Sequence, residues 1–312
     1  MRQAWIWLLI IAVAAAMPAF ASPFIMRVLI LAGIFVVLAL SFDLVVGHTG
    51  QLSLAHPAFY GIGAYAVAVL VTQYGVGLVP AFAAAVLLSA VVAILIGIPS
   101  FGLSGHSFAI GTLGAAWVLQ LVAMNWIELT NGPMCVIGVP PIEINVAGLR
   151  LGNASPLQAY YGILLLVIFT YTFMAALTTS RVGRALHGIR ENEVLGEMQG
   201  IHGLFYKLLA FSVSAGFAGL AGGFYATYSS LVCPTELGLP YTITLLVIVY
   251  LGGVGSLRGV LLGAVLFTVL PEVLRVTQQA RLVIYGFLLL IVVLYLPGGL
   301  ETVLRKLDRR SR

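Results

Sequence analysis

Charge is what this chain has least of. Only 8% of its 312 residues are Asp, Glu, Lys or Arg, against about 25% in an ordinary soluble domain. Between Asp43 and Glu128 there is none at all, a stretch of 84 residues. A soluble fold needs polar faces within such a length, so a soluble enzyme, a disordered chain and a nucleic-acid binder are all excluded. A bilayer penalises each charge at its centre by about 2.5–3.5 kcal/mol, and it is the solvent this composition suits. Cysteine is scarce too: Cys135 and Cys233 are the whole supply, with no CxxC and no Cys/His cluster. That argues against zinc or iron–sulfur chemistry, and His48, His56 and His106 stand isolated, as hydrogen-bonded packing residues do. Lysine occurs twice, as Lys207 and Lys306, each followed by Leu. No GxxxxGK[ST] phosphate loop exists, so the chain does not hold ATP by that device. Asp43 is the one ionisable candidate for ion coupling inside a span, and it sits near the span's end.

What is present is hydrophobic: 61% of the residues. Apolar runs of helix length, or slightly shorter, fall at 4–21, 25–42, 54–74, 79–98, 106–126, 158–178, 208–229, 240–254, 258–271 and 282–297. Membrane strands would alternate over about ten residues, and these runs do not. The expected fold is therefore all-α: a polytopic membrane protein of about ten transmembrane helices. Residues 1–312 are read as one transmembrane domain. Arg2, the apolar run to Ala16 and Ala19-Phe20-Ala21 copy a cleavable signal peptide. Because further spans follow at once, an uncleaved first helix is preferred, and either reading puts residue 22 outside.

Orientation follows from the bases. With both termini inside, 11 of the 15 Lys and Arg residues face inward and four, Arg27, Arg150, Arg275 and Arg281, face outward, which satisfies the positive-inside rule. Residues 127–157 are then a long outside loop with turn signals at Asn131-Gly132-Pro133 and Pro140-Pro141. Residues 230–239 form a short outside loop, and 179–207 the one sizeable inside loop. Both cysteines fall outside, where a disulfide is permitted. Two free thiols are the preferred reading, since sequence does not give their separation.

Two polar stretches interrupt the apolar pattern. One runs from Ser41 and Asp43 through Gly47-His48-Thr49-Gly50-Gln51, Ser53 and His56-Pro57; the other is Gly102-Leu103-Ser104-Gly105-His106-Ser107-Phe108. Pro and Gly there predict broken or re-entrant helices lining protein or a cavity. Glycines at small-xxx-small spacing, Gly219/Gly223 and Gly255/Gly259/Gly263, predict close helix packing. In the inside loop Asn192 is placed to cap a short helix, with Glu193 in its first turn and Gly200 at the left-handed stop. Val194, Leu195, Met198 and Ile201 fall on one face of it. This is a surface helix or a docking helix for a soluble partner.

The same loop carries a specific resemblance. Gly183-Arg184-Ala185-Leu186, Ile189-Arg190-Glu191-Asn192-Glu193, Gly200-Ile201 and Tyr206-Lys207-Leu208-Leu209-Ala210-Phe211 resemble the coupling loop of LivM-type permeases. These are membrane subunits of ABC importers for branched-chain and related amino acids. Gly50-Gln51-Leu52-Ser53-Leu54, Gly61-Ile62-Gly63-Ala64-Tyr65, Phe108-Ala109-Ile110, Leu251-Gly252-Gly253-Val254-Gly255-Ser256 and Leu296-Pro297-Gly298-Gly299-Leu300 extend it over roughly residues 30–300. The chain departs from that pattern at Ala55, at 103–107, at Met198 and at 242–244; those at 103–107 and 242–244 lie where they bear on the substrate. The resemblance implies an ABC importer permease in the bacterial inner membrane, with a homologous second permease, two cytoplasmic ATP-binding subunits and a periplasmic binding protein as partners. It implies no cofactor and no enzyme activity of the chain's own. Arg190, Glu191, Asn192, Glu193, Glu197 and Gly200 are the expected coupling residues, and Gln51, Ser53, Phe108 and Thr112 the expected path residues. A permease for urea or amides is the nearest alternative substrate reading. A secondary transporter is disfavoured by the lack of intramembrane charge. An intramembrane serine protease, suggested by Gly102-Leu103-Ser104-Gly105, needs a later histidine as base. His106 is two residues away, and His187 and His202 lie in the inside loop.

Overall fold

The structure is a computed structural model that describes residues 17–19, 21–103, 105–146, 149–153, 155–273, 283, 286, 290 and 298–302. The expected spans at 4–21 and 282–297, apart from a few positions, lie outside the described residues, as do Ser104 and the basic tail 305–312.

The other eight apolar runs are helices. They are α1 (Pro23–Asp43), α2 (His56–Thr72), α3 (Leu78–Ser100), α4 (His106–Asn125), α5 (Pro156–Thr179), α8 (Gly203–Ser229), α9 (Leu239–Gly252) and α10 (Leu257–Val273). Between α5 and α8 lie two short helices, α6 (Arg181–Glu191) and α7 (Glu193–Met198). The ends are set by local chemistry. Ser22 caps α1 ahead of Pro23, and Ser155 and Gln158 form a reciprocal capping box on α5. The Ser180 hydroxyl accepts from Val182 and Gly183 to start α6.

α1 and α8 form the centre. α8 packs against α1, α2 and α3, and α1 also receives α5, α9 and α10. Val37, Leu38, Ala39, Leu40 and Phe42 of α1 and Phe211, Ala215, Ala218 and Ala221 of α8 share one buried cluster. α3, α4 and α5 instead expose rows of large apolar side chains, among them Leu87, Leu95, Trp117, Leu121, Leu165 and Phe169. A helix apolar on all sides with one side unpacked is suited to lipid. The central helices meet through glycine: a side chain on Gly63 would run into the Gly219 backbone, and one on Gly222 into Tyr60's carbonyl. Lipid offers no hydrophobic drive for helices to associate, so this backbone contact carries the packing.

The connection 127–157 is more ordered than a loop. It holds a one-turn helix, Ile127–Thr130, and three short strands, β1 (Val136–Ile137), β2 (Glu143–Val146) and β3 (Leu149–Gly152). β2 and β3 pair with each other, and β1 pairs antiparallel with β4 (Leu231–Val232), which follows α8. Beside that pairing Cys135 and Cys233 form a disulfide, their Cα atoms 4.5 Å apart. The expected free thiols are thus corrected: 98 residues of sequence separation hid a contact that the β1–β4 pairing creates.

Candidate coupling region and broken helix

α1 does not run straight into α2. After Asp43 it widens into a π-helical segment, Leu44–Thr49, and Gly50 then turns the chain at φ +74°. Residues 50–55 are irregular, as the polar stretch around them predicts. Irregular backbone at this depth must find partners within the protein, and it does. Leu54 N–H donates to the Thr112 hydroxyl at 3.0 Å and Gln51 N–H to that of Thr49 at 3.3 Å. The Thr242 hydroxyl donates to the Leu54 carbonyl at 3.5 Å. Ser41 and His56, on either side of the break, share a 2.9 Å hydrogen bond.

Two long-range ties fix the π segment. The guanidinium of Arg190, the penultimate residue of α6, donates to the Gly47 carbonyl. Asp43, fully buried, accepts from Gly255 N–H at 2.8 Å, in the turn between α9 and α10. His48 stands beside the same carboxylate at 3.8 Å. Asp43 therefore joins α1 to the α9–α10 turn.

The expected short helix of the inside loop is present as α7. The Asn192 side chain accepts from Leu195 N–H, Glu193 opens the first turn, and Gly200 ends the motif at φ +82°. The expected helix around 191–199 is only half of the feature, because Ser180 starts a separate α6 before it. Val194, Leu195 and Met198 are 61%, 56% and 78% exposed. Ile201 instead turns inward, toward Gly188 and Gly196.

The expected coupling residues separate by contact. Glu193 forms an ion pair with Lys207, which is buried in the first turns of α8. Arg190 reaches the broken helix, Asn192 caps α7, and Glu191 and Glu197 are exposed. Lys207 was missing from the expected site, although it is one of two lysines in a chain with almost no internal charge. Of the expected path residues, Thr112 accepts from Leu54 N–H and Ser53 from Ala55 N–H, both at the break, and Gln51 is half-buried in the same stretch. Phe108 is fully buried, its ring stacked on Phe101 at 4.8 Å and edge-on to Phe211 at 6.2 Å. Among the described residues no three His, Cys, Asp or Glu side chains gather as a metal site would require.

Known proteins share this sequence pattern along most of its length. A family model described as the permease component of the branched-chain amino acid transport system matches residues 24–293. The chain is 30% identical to the high-affinity branched-chain amino acid transport permease LivM of Salmonella typhimurium, over 97% of this chain and 76% of that protein. It is likewise 30% identical to LivM of Escherichia coli K12, over 95% and 74%. To the permease BraD of Pseudomonas aeruginosa it is 25% identical, over 85% and 91%. No solved structure matches.

Proposed function

The chain belongs to the branched-chain amino acid transport permease family, and on that premise we propose that it carries branched-chain amino acids inward, driven by ATP hydrolysis in separate subunits. It is a membrane permease, and the partners follow from that role: a homologous second permease, two cytoplasmic ATP-binding subunits and a periplasmic binding protein. The proposed site is the bacterial inner membrane, with both termini cytoplasmic and residues 1–312 forming one permease domain.

The observation that carries the coupling assignment is α7. It is a capped helix with three large apolar side chains turned outward, tied by Glu193 to the base of α8 and flanked by Arg190 at the broken helix. An ATPase gripping Val194, Leu195 and Met198 moves two levers at once. One is the Glu193–Lys207 pair on α8, and the other is the Arg190 hydrogen bond on the π segment. Closure of the ATPases thereby reaches the 50–55 stretch, where Gln51, Ser53 and Thr112 line the proposed path.

The test is reconstitution with the ATPases and binding protein, measuring ATP-dependent uptake of leucine against urea. Wild type is expected to take up leucine and not urea; the reverse overturns the substrate. Glu193→Arg sets a second cation against buried Lys207 and takes away its half-exposed carboxylate partner, which costs about 1–3 kcal/mol. The variant is expected to lose uptake with the protein still in the membrane, and normal uptake refutes the coupling role.

A further inference from the structure

Four tyrosines converge on a buried acid at the other end of the bundle. Glu236 lies in the 3-10 turn Pro234–Leu237, three residues after the disulfide-bonded Cys233, and is only 5% exposed. Its carboxylate interacts electrostatically with Tyr60 and Tyr65 of α2, Tyr225 of α8 and Tyr241 of α9. The Tyr225 hydroxyl and the Cys233 N–H hydrogen-bond to it. Its Oε2 and the Tyr65 hydroxyl are nevertheless both buried without a partner. The rings form a connected wall: Tyr60–Tyr225 at 5.7 Å, Tyr60–Tyr241 at 5.9 Å and Tyr241–Phe35 at 6.0 Å. α4 contributes the neutral Gln120 beside Gly238. Among the described residues no base acts on the acid; Arg27 acts on Tyr228 instead. Buried acids are ordinarily paired with a cation, and this one has tyrosines as its neighbours instead.

We propose that Glu236, the Tyr65 hydroxyl and the Tyr60, Tyr225 and Tyr241 rings bind the primary ammonium group of the transported solute at the outer end of its path. The proposal rests on the amino-acid reading above and deepens it. An ammonium group has three donors and one positive charge. One donor meets Oε2 and another the Tyr65 oxygen, while the charge lies against electron-rich ring faces. The apolar side chain of the solute finds Phe35 and the ring edges. Tyr225 and Tyr241 are only partly buried, and the entry route passes them. A solute without a cation, such as urea or a 2-oxo acid, leaves the carboxylate unpaired and is rejected there.

Two readouts test it. In the purified permease–ATPase complex, 3-methylbutylamine, which is leucine's hydrocarbon and amine without its carboxylate, is expected to raise the wild-type melting temperature. It should not raise that of Glu236→Gln, and 4-methylpentanoate should raise neither. In the full reconstituted system Glu236→Gln is expected to lower leucine uptake about tenfold, the effect of one charge-assisted hydrogen bond, with ATP hydrolysis still stimulated by the binding protein. Glu236→Asp is expected to recover most of the uptake. Equal amine response in wild type and Glu236→Gln, or uptake unchanged in the variant, overturns the site. Should Glu236→Gln fail to fold, Tyr65→Phe carries the test. Its amine affinity is expected to fall about threefold, and an unchanged affinity overturns the proposal. A wild-type complex that binds the amine through Glu236 but takes up no amino acid sinks the transport reading while leaving the site standing.

Discussion

At the scale of single residues, three of the chain's rare charges are each held by a neighbour that fixes their role. Lys207 is buried against Glu193, Asp43 against the Gly255 amide, and Arg190 donates to the Gly47 carbonyl. Glu236 is different, because no cation among the described residues answers it. Burial pushes its carboxyl up to about 7, against the opposing hydrogen bonds from Tyr225 and Cys233. Between pH 4.5 and 7 the folded protein therefore keeps a proton that the unfolded chain has released. Stability contributed by the protonated group is present below pH 4.5 and is lost as pH rises through 7. The shift corresponds to roughly 3 kcal/mol. Melting of the detergent-solubilised wild type is expected to fall from about pH 5 to about pH 8, and Glu236→Gln is expected to flatten that slope. A slope unchanged in the variant assigns the pH dependence to other groups. Ammonium binding favours the ionised acid, so leucine is expected to protect most at the alkaline end of the same window.

At the scale of elements, the break between α1 and α2 concentrates the constraints. Gly47 is packed so closely that a Cβ would fall on the Asp43 carboxylate and the Gly255 backbone. Gly47→Ala is expected to cost about 1–3 kcal/mol through overpacking and to abolish uptake by moving the Arg190 acceptor. Gly114→Ala in α4, where a Cβ meets nothing within 4 Å, is expected to be neutral or to stabilise by about 0.5–1 kcal/mol. Equal melting temperatures for the two variants would show that the π segment tolerates displacement. Most of these elements are legible in the sequence. Runs such as 79–98 and 158–178 correspond to α3 and α5 because lipid enforces the same apolar rule on every face, and the start of α7 follows from Asn192. The division of the inside loop into α6 and α7 was not legible, since Ser180 as a cap is indistinguishable from a polar loop residue. The tyrosine cluster was not legible either. Tyr60 and Tyr65 lie on α2, Tyr225 on α8 and Tyr241 on α9, and only packing reveals that they share Glu236.

At the scale of the whole molecule, one helix sets the geometry between α7 and the disulfide. α8 runs 27 residues from Gly203, shortly after α7, to Ser229, just before β4 and Cys233. At 1.5 Å per residue that is about 40 Å, more than the roughly 30 Å of a bilayer's hydrocarbon core. α7 and the Cys135–Cys233 bond therefore belong on opposite sides of the membrane. The disulfide belongs to the oxidising side, and the bases Arg181, Arg184 and Arg190 beside α7 belong to the cytoplasm by the positive-inside rule. Two independent rules, one of redox and one of charge, thus support the same proposed orientation. Met198 and Met134 are the reporters, 78% and 82% exposed at the two ends. In a background with Cys135→Ser and Cys233→Ser, a membrane-impermeant maleimide applied to intact cells is expected to label Met134→Cys. Met198→Cys should react only after the membrane is opened, and the ATPase subunits should then protect it, since its side chain lies on the apolar face proposed to dock them. Labelling of Met198→Cys from outside would invert the topology and remove α7 from the reach of any cytoplasmic ATPase. Labelling from inside without protection would keep the topology and move the docking surface elsewhere on the loop.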